Sequence, residues 1–368
     1  MKLIHCADIR LNASPEMSFG QEKGEERNSE ILLTFVRMVR YAARNRVNAV
    51  LITGNLFIPG DISTNVLHIV KDCITGNPGI DFLYISGRRG RDEFTEAMRP
   101  FPQNFKVLGE SQESVRYEDK VVISTARRPD ELDLSESDLN IVMHYGTINP
   151  QDWEDLHIDY LASGGVAALD EGALGNRGRY CYSGTLEGRS FFETGQKGFI
   201  RLDISNNTIE PVFIQAAKRM LFTIDLETES SDAQVIKEEI NEKLEETEIS
   251  DSDLVEVRLK GSGISKEALY DIRETFAERF YYFRLDADIL AKAEETAAET
   301  VEMPESEPET EPKPEIRTYS KTFPVVREDT YGQLREAFIK VVNDSDETEE
   351  DKEEILRIGL DALGGESV

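Results

Sequence analysis

Cysteine is scarce in this chain: three in 368 residues, at Cys6, Cys73 and Cys181. An odd number without close spacing offers no disulfide framework and no paired C-x-x-C motif. It suits a reducing cytosol, with each thiol read as a small buried side chain. Long apolar runs are missing as well. No stretch reaches the ~20 apolar residues that span a bilayer, and no N-terminal segment joins basic residues to an apolar run, so the expectation is a soluble, cytoplasmic protein. Basic residues are in deficit: 42 Lys and Arg stand against 72 Asp and Glu, a formal charge of −30. Residues 1–217 account for −8 of it and residues 218–368 for −22. Such a chain repels polyanions at long range, so nucleic-acid contact has to come from a local basic patch or through a partner. Walker-type lysine loops and H-E-x-x-H are absent, and Gly87-Arg88-Arg89-Gly90 lacks the third glycine of a dinucleotide loop.

What remains is ordinary globular material at 39% hydrophobic residues, enough length for two or three domains, and a marked change of character along the chain. Residues 1–217 alternate short β-branched runs with helical periodicity. Strands are expected at Lys2–Ala7, Ala49–Thr53, Asp81–Ile85, Val121–Ser124, Leu139–His144, Tyr160–Ala162, Tyr180–Ser183, Phe199–Ile204 and Thr208–Gln215. Ile31, Leu32, Phe35, Val36, Met38, Val39 and Ala42 fall on one helical stripe. This succession predicts an α/β body of two sheets enclosed by helices. Residues 218–289 predict a small α+β cap domain: strands at Leu221–Leu226, Leu254–Leu259 and Tyr281–Leu285, with helices at Ser231–Glu245 and Lys266–Arg279.

Residues 290–317 are rich in Glu, Pro and Thr and nearly free of large apolar side chains. They cannot bury enough surface to offset chain entropy and predict an acidic, flexible linker. Residues 318–368 predict a pair of amphipathic helices. Thr330 is placed to cap the first, which carries Leu334, Ala337, Phe338, Val341 and Val342; the second carries Ile355, Ile358, Leu360 and Leu363 and stops at Gly364-Gly365. Two such faces need a surface to dock on.

The motifs at the strand ends carry a resemblance. Met1-Lys-Leu-Ile-His-Cys-Ala-Asp8-Ile-Arg10 is similar to the I-x-H-x-A-D-x-H opening of the SbcD-type and YhaO-type nuclease subunits among the calcineurin-like metallophosphoesterases. Gly54-Asn55-Leu56-Phe57-Ile58 resembles their G-D-L-F-D, Gly87-Arg88-Arg89-Gly90 their G-N-H-D, and Asp159-Tyr160-Leu161-Ala162-Ser163-Gly164-Gly165-Val166-Ala167 their D-Y-x-A-L-G-H-I-H. Tyr182-Ser183-Gly184 and Glu193-Thr194-Gly195-Gln196-Lys197-Gly198 match a downstream signature, and His144 stands where the family has a lone strand-end histidine. The likeness covers about residues 1–217, with a weaker match in the small domain.

That resemblance implies a four-layer α-β-β-α sandwich, a two-metal phosphodiesterase site and a DNA double-strand-break repair complex with an SMC-like, SbcC-like coiled-coil ATPase gripped by the C-terminal helices. It also leaves room for a homodimer. A two-metal centre needs carboxylates, imidazoles and an amide clamping ions ~3.5–4 Å apart. Here the ligand positions hold Asp8, Arg10, Asn55, Arg88, Arg89, His144, Gly165 and Ala167; Asp8 and His144 alone keep the family residue, Asn55 is a neutral substitute, and a guanidinium cannot ligate a cation. The leading expectation is therefore a pseudo-nuclease with no cofactor, structural or regulatory in its complex. A second reading is an active, divergent exonuclease using Mn2+ through Asp8, Asn55 and His144. A third is a metal-free anion or nucleic-acid module using Arg10, Arg88, Arg89 and Arg91, against which stands internal pairing of those guanidiniums with Asp8, Asp92 or Asp159. Trp153 and Tyr281-Tyr282-Phe283 are candidates for base stacking, weighed against core packing.

Overall fold

The computed structural model describes residues 1–13, 19, 21–87, 92–109, 114–117, 120–247, 249–287 and 325–327. Met1–Pro324 form one compact unit and Val325–Val368 a second, of which only the short strand Val325–Arg327 is described. The expected linker at 290–317 and the amphipathic helices beyond Thr330 lie outside the described residues. Among the described residues, no helix is long and apolar enough to cross a membrane.

The first sheet joins β1 (Lys2–Ala7), β2 (Ala49–Thr53), β3 (Asp81–Ile85), β4 (Phe105–Val107), β11 (Gly198–Ser205) and β12 (Thr208–Gln215) in the order β12-β11-β1-β2-β3-β4. The run β1 to β4 is parallel, while β11 is antiparallel to β1 and to β12. The second sheet contains β5 (Ser114–Tyr117), β6 (Val121–Thr125), β7 (Leu139–Tyr145), β8 (Tyr160–Gly164), β9 (Leu169–Leu174) and β10 (Gly178–Ser183), ordered β5-β6-β7-β8-β10-β9. Its central strands β6, β7, β8 and β10 are parallel and its edges antiparallel. The body is thus α/β with two large mixed sheets.

Strand alternation decides what each face meets. Ile4, Cys6, Val50, Ile52, Phe82 and Tyr84 turn to the helical side, where α1 (Gln21–Arg44) lays Ile31, Phe35, Met38, Val39 and Ala42, and α2 (Thr64–Thr75) adds Val70 and Ile74. Each large side chain so buried contributes ~1.5–3 kcal/mol relative to exposure. Residues of opposite parity face the second sheet. His5 is one of them: its ring lies between Thr53 Oγ1 and Tyr160 Oη, 3.1 Å from each, and so joins the sheets. The outer face of the second sheet carries Val142 and Leu161 against Trp153, Ile158 and Leu174. Trp153 closes a 3-10 turn at Pro150–Asp152, Ile158 lies in irregular chain and Leu174 ends the edge strand β9, so none of these covering residues comes from an α-helix.

Residues 221–286 alternate β13 (Leu221–Glu227), α4 (Ala233–Glu246), β14 (Leu254–Lys260), α5 (Lys266–Ala277) and β15 (Tyr282–Asp286). All three strands are parallel, in the order β13-β14-β15. This is a βαβαβ unit, which corrects the expected α+β arrangement: parallel neighbours need crossovers, and α4 and α5 supply them. Asp232 caps α4 by accepting from Gln234 N and Val235 N, so the helix starts two residues after the expected Ser231. Ser265 caps α5 through Ala268 N.

The small unit is fastened to the body through α1. Buried Arg27 donates to Glu30 at 2.9 Å and to Glu187 at 2.7 Å. Glu187 also accepts from Thr34 Oγ1 and Lys218 N, and Glu30 from the Arg219 guanidinium at 2.9 Å and from Lys218 Nζ at 2.8 Å. Arg219 continues over the Tyr281 ring, 3.4 Å from its centroid, while Tyr281 Oη donates to Glu26 at 3.0 Å. The opposed charges hold Arg27 protonated and keep Glu30 below the usual carboxylate range despite their burial.

Candidate functional site

The turns that follow β1, β2, β3, β7, β8 and β10 gather at the carboxyl ends of parallel strands, where open α/β sheets place their ligands. Asp8 follows β1 with φ 43°, and Arg10 has φ 50°, a left-handed conformation that is costly for a side-chain-bearing residue. Arg189 makes that turn possible. Its buried guanidinium donates to the carbonyls of Ile9 and Arg10 and to Glu187 O. Burial lowers its pKa to about 10.

Asp8 is 1% exposed and its carboxylate is fully committed. Oδ1 accepts from Asn55 N at 3.1 Å and from Asn55 Nδ2 at 3.4 Å; Oδ2 accepts from Gly165 N at 2.7 Å. Burial pushes its pKa up, opposed by these donors and by nearby Arg10. The carboxylate ties turns of the two sheets together, as expected of a turn cap rather than of a partner to an Arg. Asn55 turns its amide to Tyr145 as well, donating to Oη at 3.3 Å.

Tyr145 is the residue the sequence did not single out. The last residue of β7, it projects its ring into the hollow between the sheets. A methyl group built at Gly54 would lie 2.6 Å from Tyr145 Cε2, and one at Gly87 would lie 2.7 Å from Cζ. Both glycines are required because the ring sits directly on their backbone. Burial raises the phenol pKa, and the Asp8 carboxylate beside it raises it further.

His144 precedes Tyr145 in the same strand and so faces the other way. Its Nδ1 lies 3.0 Å from Ala126 O, and its ring meets Trp153 edge-on at 4.8 Å between centroids. Nε2 is buried without a partner, and burial lowers the pKa. The structure does not bring His144 together with Asp8 and Asn55. Gly165 contributes only its backbone amide. Ala167 offers its carbonyl to buried Lys197 Nζ at 2.6 Å, and burial lowers the Lys197 pKa to about 8.

Of the arginine cluster, Arg88, Arg89 and Arg91 lie outside the described residues. Arg10 pairs with Glu193 at 3.1 Å, not with Asp8. Glu193 also accepts from Arg189 N at 3.0 Å, which fixes the loop after β10 over the site. Asp159 is bound by Arg177 at 2.9 Å, and Asp92 accepts from Tyr84 Oη at 2.5 Å while capping α3 (Glu93–Ala97). Trp153 is 3% exposed in the core, and Phe283 packs on Phe276 and Phe280. Tyr281 and Tyr282 pack at the junction with the body, so none of these aromatics forms an open stacking platform. Cys6 and Cys181 are buried thiols and Cys73 is half-buried.

The described residues at these strand ends do not fit a dinuclear manganese centre. Such a centre needs several anionic and imidazole donors converging on the ions. Among the described residues no three His, Cys, Asp or Glu side chains form such a group. The surviving carboxylate meets N–H donors on both oxygens, and an aromatic ring covers the hollow. A scan of protein-family models finds none that matches the chain, and a search of curated proteins finds no match either.

Proposed function

We propose that this chain is a non-catalytic, SbcD/YhaO-like subunit: a four-layer metallophosphoesterase sandwich kept as a scaffold, with its fourth layer reduced to the irregular chain over Trp153. The single observation that supports this most is the Tyr145 ring packed on Gly54 and Gly87, next to an Asp8 carboxylate saturated by amide donors. A phosphodiester and two cations need that space, and a water nucleophile needs a cation to activate it. The scaffold role is structural or regulatory, in a DNA-processing complex with an SMC-like coiled-coil ATPase held through residues 318–368. The overall acidity fits a subunit that meets DNA only through the complex.

Purified full-length protein, assayed with Mn2+ on a chromogenic phosphodiester and on duplex DNA ends, is expected to show no metal-dependent hydrolysis above buffer. Turnover that needs Mn2+ and vanishes in Asp8→Ala would overturn the proposal.

A further inference from the structure

We infer that Tyr145 is a built-in plug that cross-links the two large sheets at their rim, a task that in a two-metal enzyme falls to ions held from both sides. The inference rests on the non-catalytic reading and gives it a mechanism. Sheets packed face to face stand ~10 Å apart, and at an open rim something must span the gap. Here the span is made entirely of side chains and amides. Tyr145 leaves β7 in the second sheet, and its ring closes on Gly54 after β2 and Gly87 after β3 in the first. Its hydroxyl accepts from Asn55 Nδ2 at 3.3 Å, Asn55 donates to Asp8, and Asp8 Oδ2 accepts from Gly165 N, back in the second sheet, at 2.7 Å. The circuit closes on itself.

Two further features belong to the same device. Asp8 is held at φ 43°, which persists only where the surroundings over-determine it, and the Asn55 and Gly165 amides do so. The ring is faced by backbone at Gly54 and Gly87 and by the Asp8 and Asn55 side chains, which are pinned by hydrogen bonds to Gly165 N and to each other and so are not free to fold inward should the ring be removed. Truncation therefore leaves a true cavity, and a cavity with a phenol-shaped outline accepts a small aromatic.

Melting of the full chain tests this with a readout independent of activity. Wild-type protein is expected to melt at the same temperature in EDTA and in Mn2+. Tyr145→Ala should melt on the order of 5–10 °C lower, and Tyr145→Phe, which keeps the ring and loses the hydroxyl, by less than half of that. Added phenol should raise the midpoint of Tyr145→Ala and leave wild type unchanged. The proposal fails if Tyr145→Ala melts with wild type, if Tyr145→Phe costs as much as Tyr145→Ala, or if EDTA lowers the wild-type midpoint. Should Tyr145→Ala not fold, the proposal stands if Tyr145→Phe folds and melts less than ~5 °C below wild type with no effect of EDTA, and fails otherwise. Failure here is distinct from failure of the non-catalytic reading, which only Mn2+-dependent hydrolysis by the wild-type protein overturns.

Discussion

His5 shows how one buried side chain sets a response to acid. Burial drives its pKa from 6.5 down to about 3, because a charged ring between Thr53 and Tyr160 would lose its hydration. The unfolded chain protonates near pH 6.5 while the folded one resists until about pH 3, so this group's contribution is intact above pH 6.5 and falls as pH drops through that window. By pH 4.5 the loss is on the order of 3 kcal/mol. Melting wild type and His5→Asn at pH 7 and pH 4.5 isolates the effect: the drop in midpoint should be smaller in the variant. Residue-level chemistry was only partly legible in the sequence. The losses at Arg10, Asn55 and Ala167 could be read directly, since a ligand position either holds a ligand or does not. Tyr145 could not, because its meaning depends on Gly54 and Gly87, distant in sequence and adjacent only after folding. The aromatic placed directly after His144 at a strand end was the one available signal.

At the scale of elements, alternation found the longer strands and helical periodicity found α1, α4 and α5, but α2 and α3 were not predicted although Val70, Ile74 and Phe94 lie in the main core. β1, β2, β3 and β12 have the predicted ends. The failures share a cause. β4, β5 and β9 were not predicted: Phe105–Val107 is too short for a period to show, and Leu169-Asp-Glu-Gly-Ala-Leu174 pairs only because β10 lies beside it. The first turns of α1, from Gln21 to Glu30, carry no apolar stripe either. They are ordered by ion pairs to Glu187 and Arg219, partners 160 residues away for Arg27 and 189 for Glu30. Glu187→Ala should therefore be costly, since it removes one of the two carboxylates that pair fully buried Arg27 and leaves Thr34 Oγ1 and Lys218 N without their acceptor; a loss of ~3 kcal/mol is expected in equilibrium denaturation. A cost within ~1 kcal/mol would mean that α1 holds its course without the network.

For the whole molecule, the charge imbalance and the partner reading meet in the tail. If residues 318–368 are the grip for a coiled-coil ATPase, a chain ending at residue 317 should lose co-purification with a co-expressed partner of that class. The far-ultraviolet spectrum and midpoint of that truncated chain should stay close to those of the full chain, because the described cores of the body and of the small βαβαβ unit are built from residues before 317. Retained co-purification would move the grip to the body.

Arg219 stands at the root of β13, seated against Glu30 and stacked on Tyr281. A pull applied beyond Asp286 would travel through three hydrogen-bonded parallel strands into α1 and the first sheet, rather than being absorbed by a slack joint. The small unit is in that sense an outrigger, braced against the body by the buried pairs Arg219–Glu30 and Arg27–Glu187.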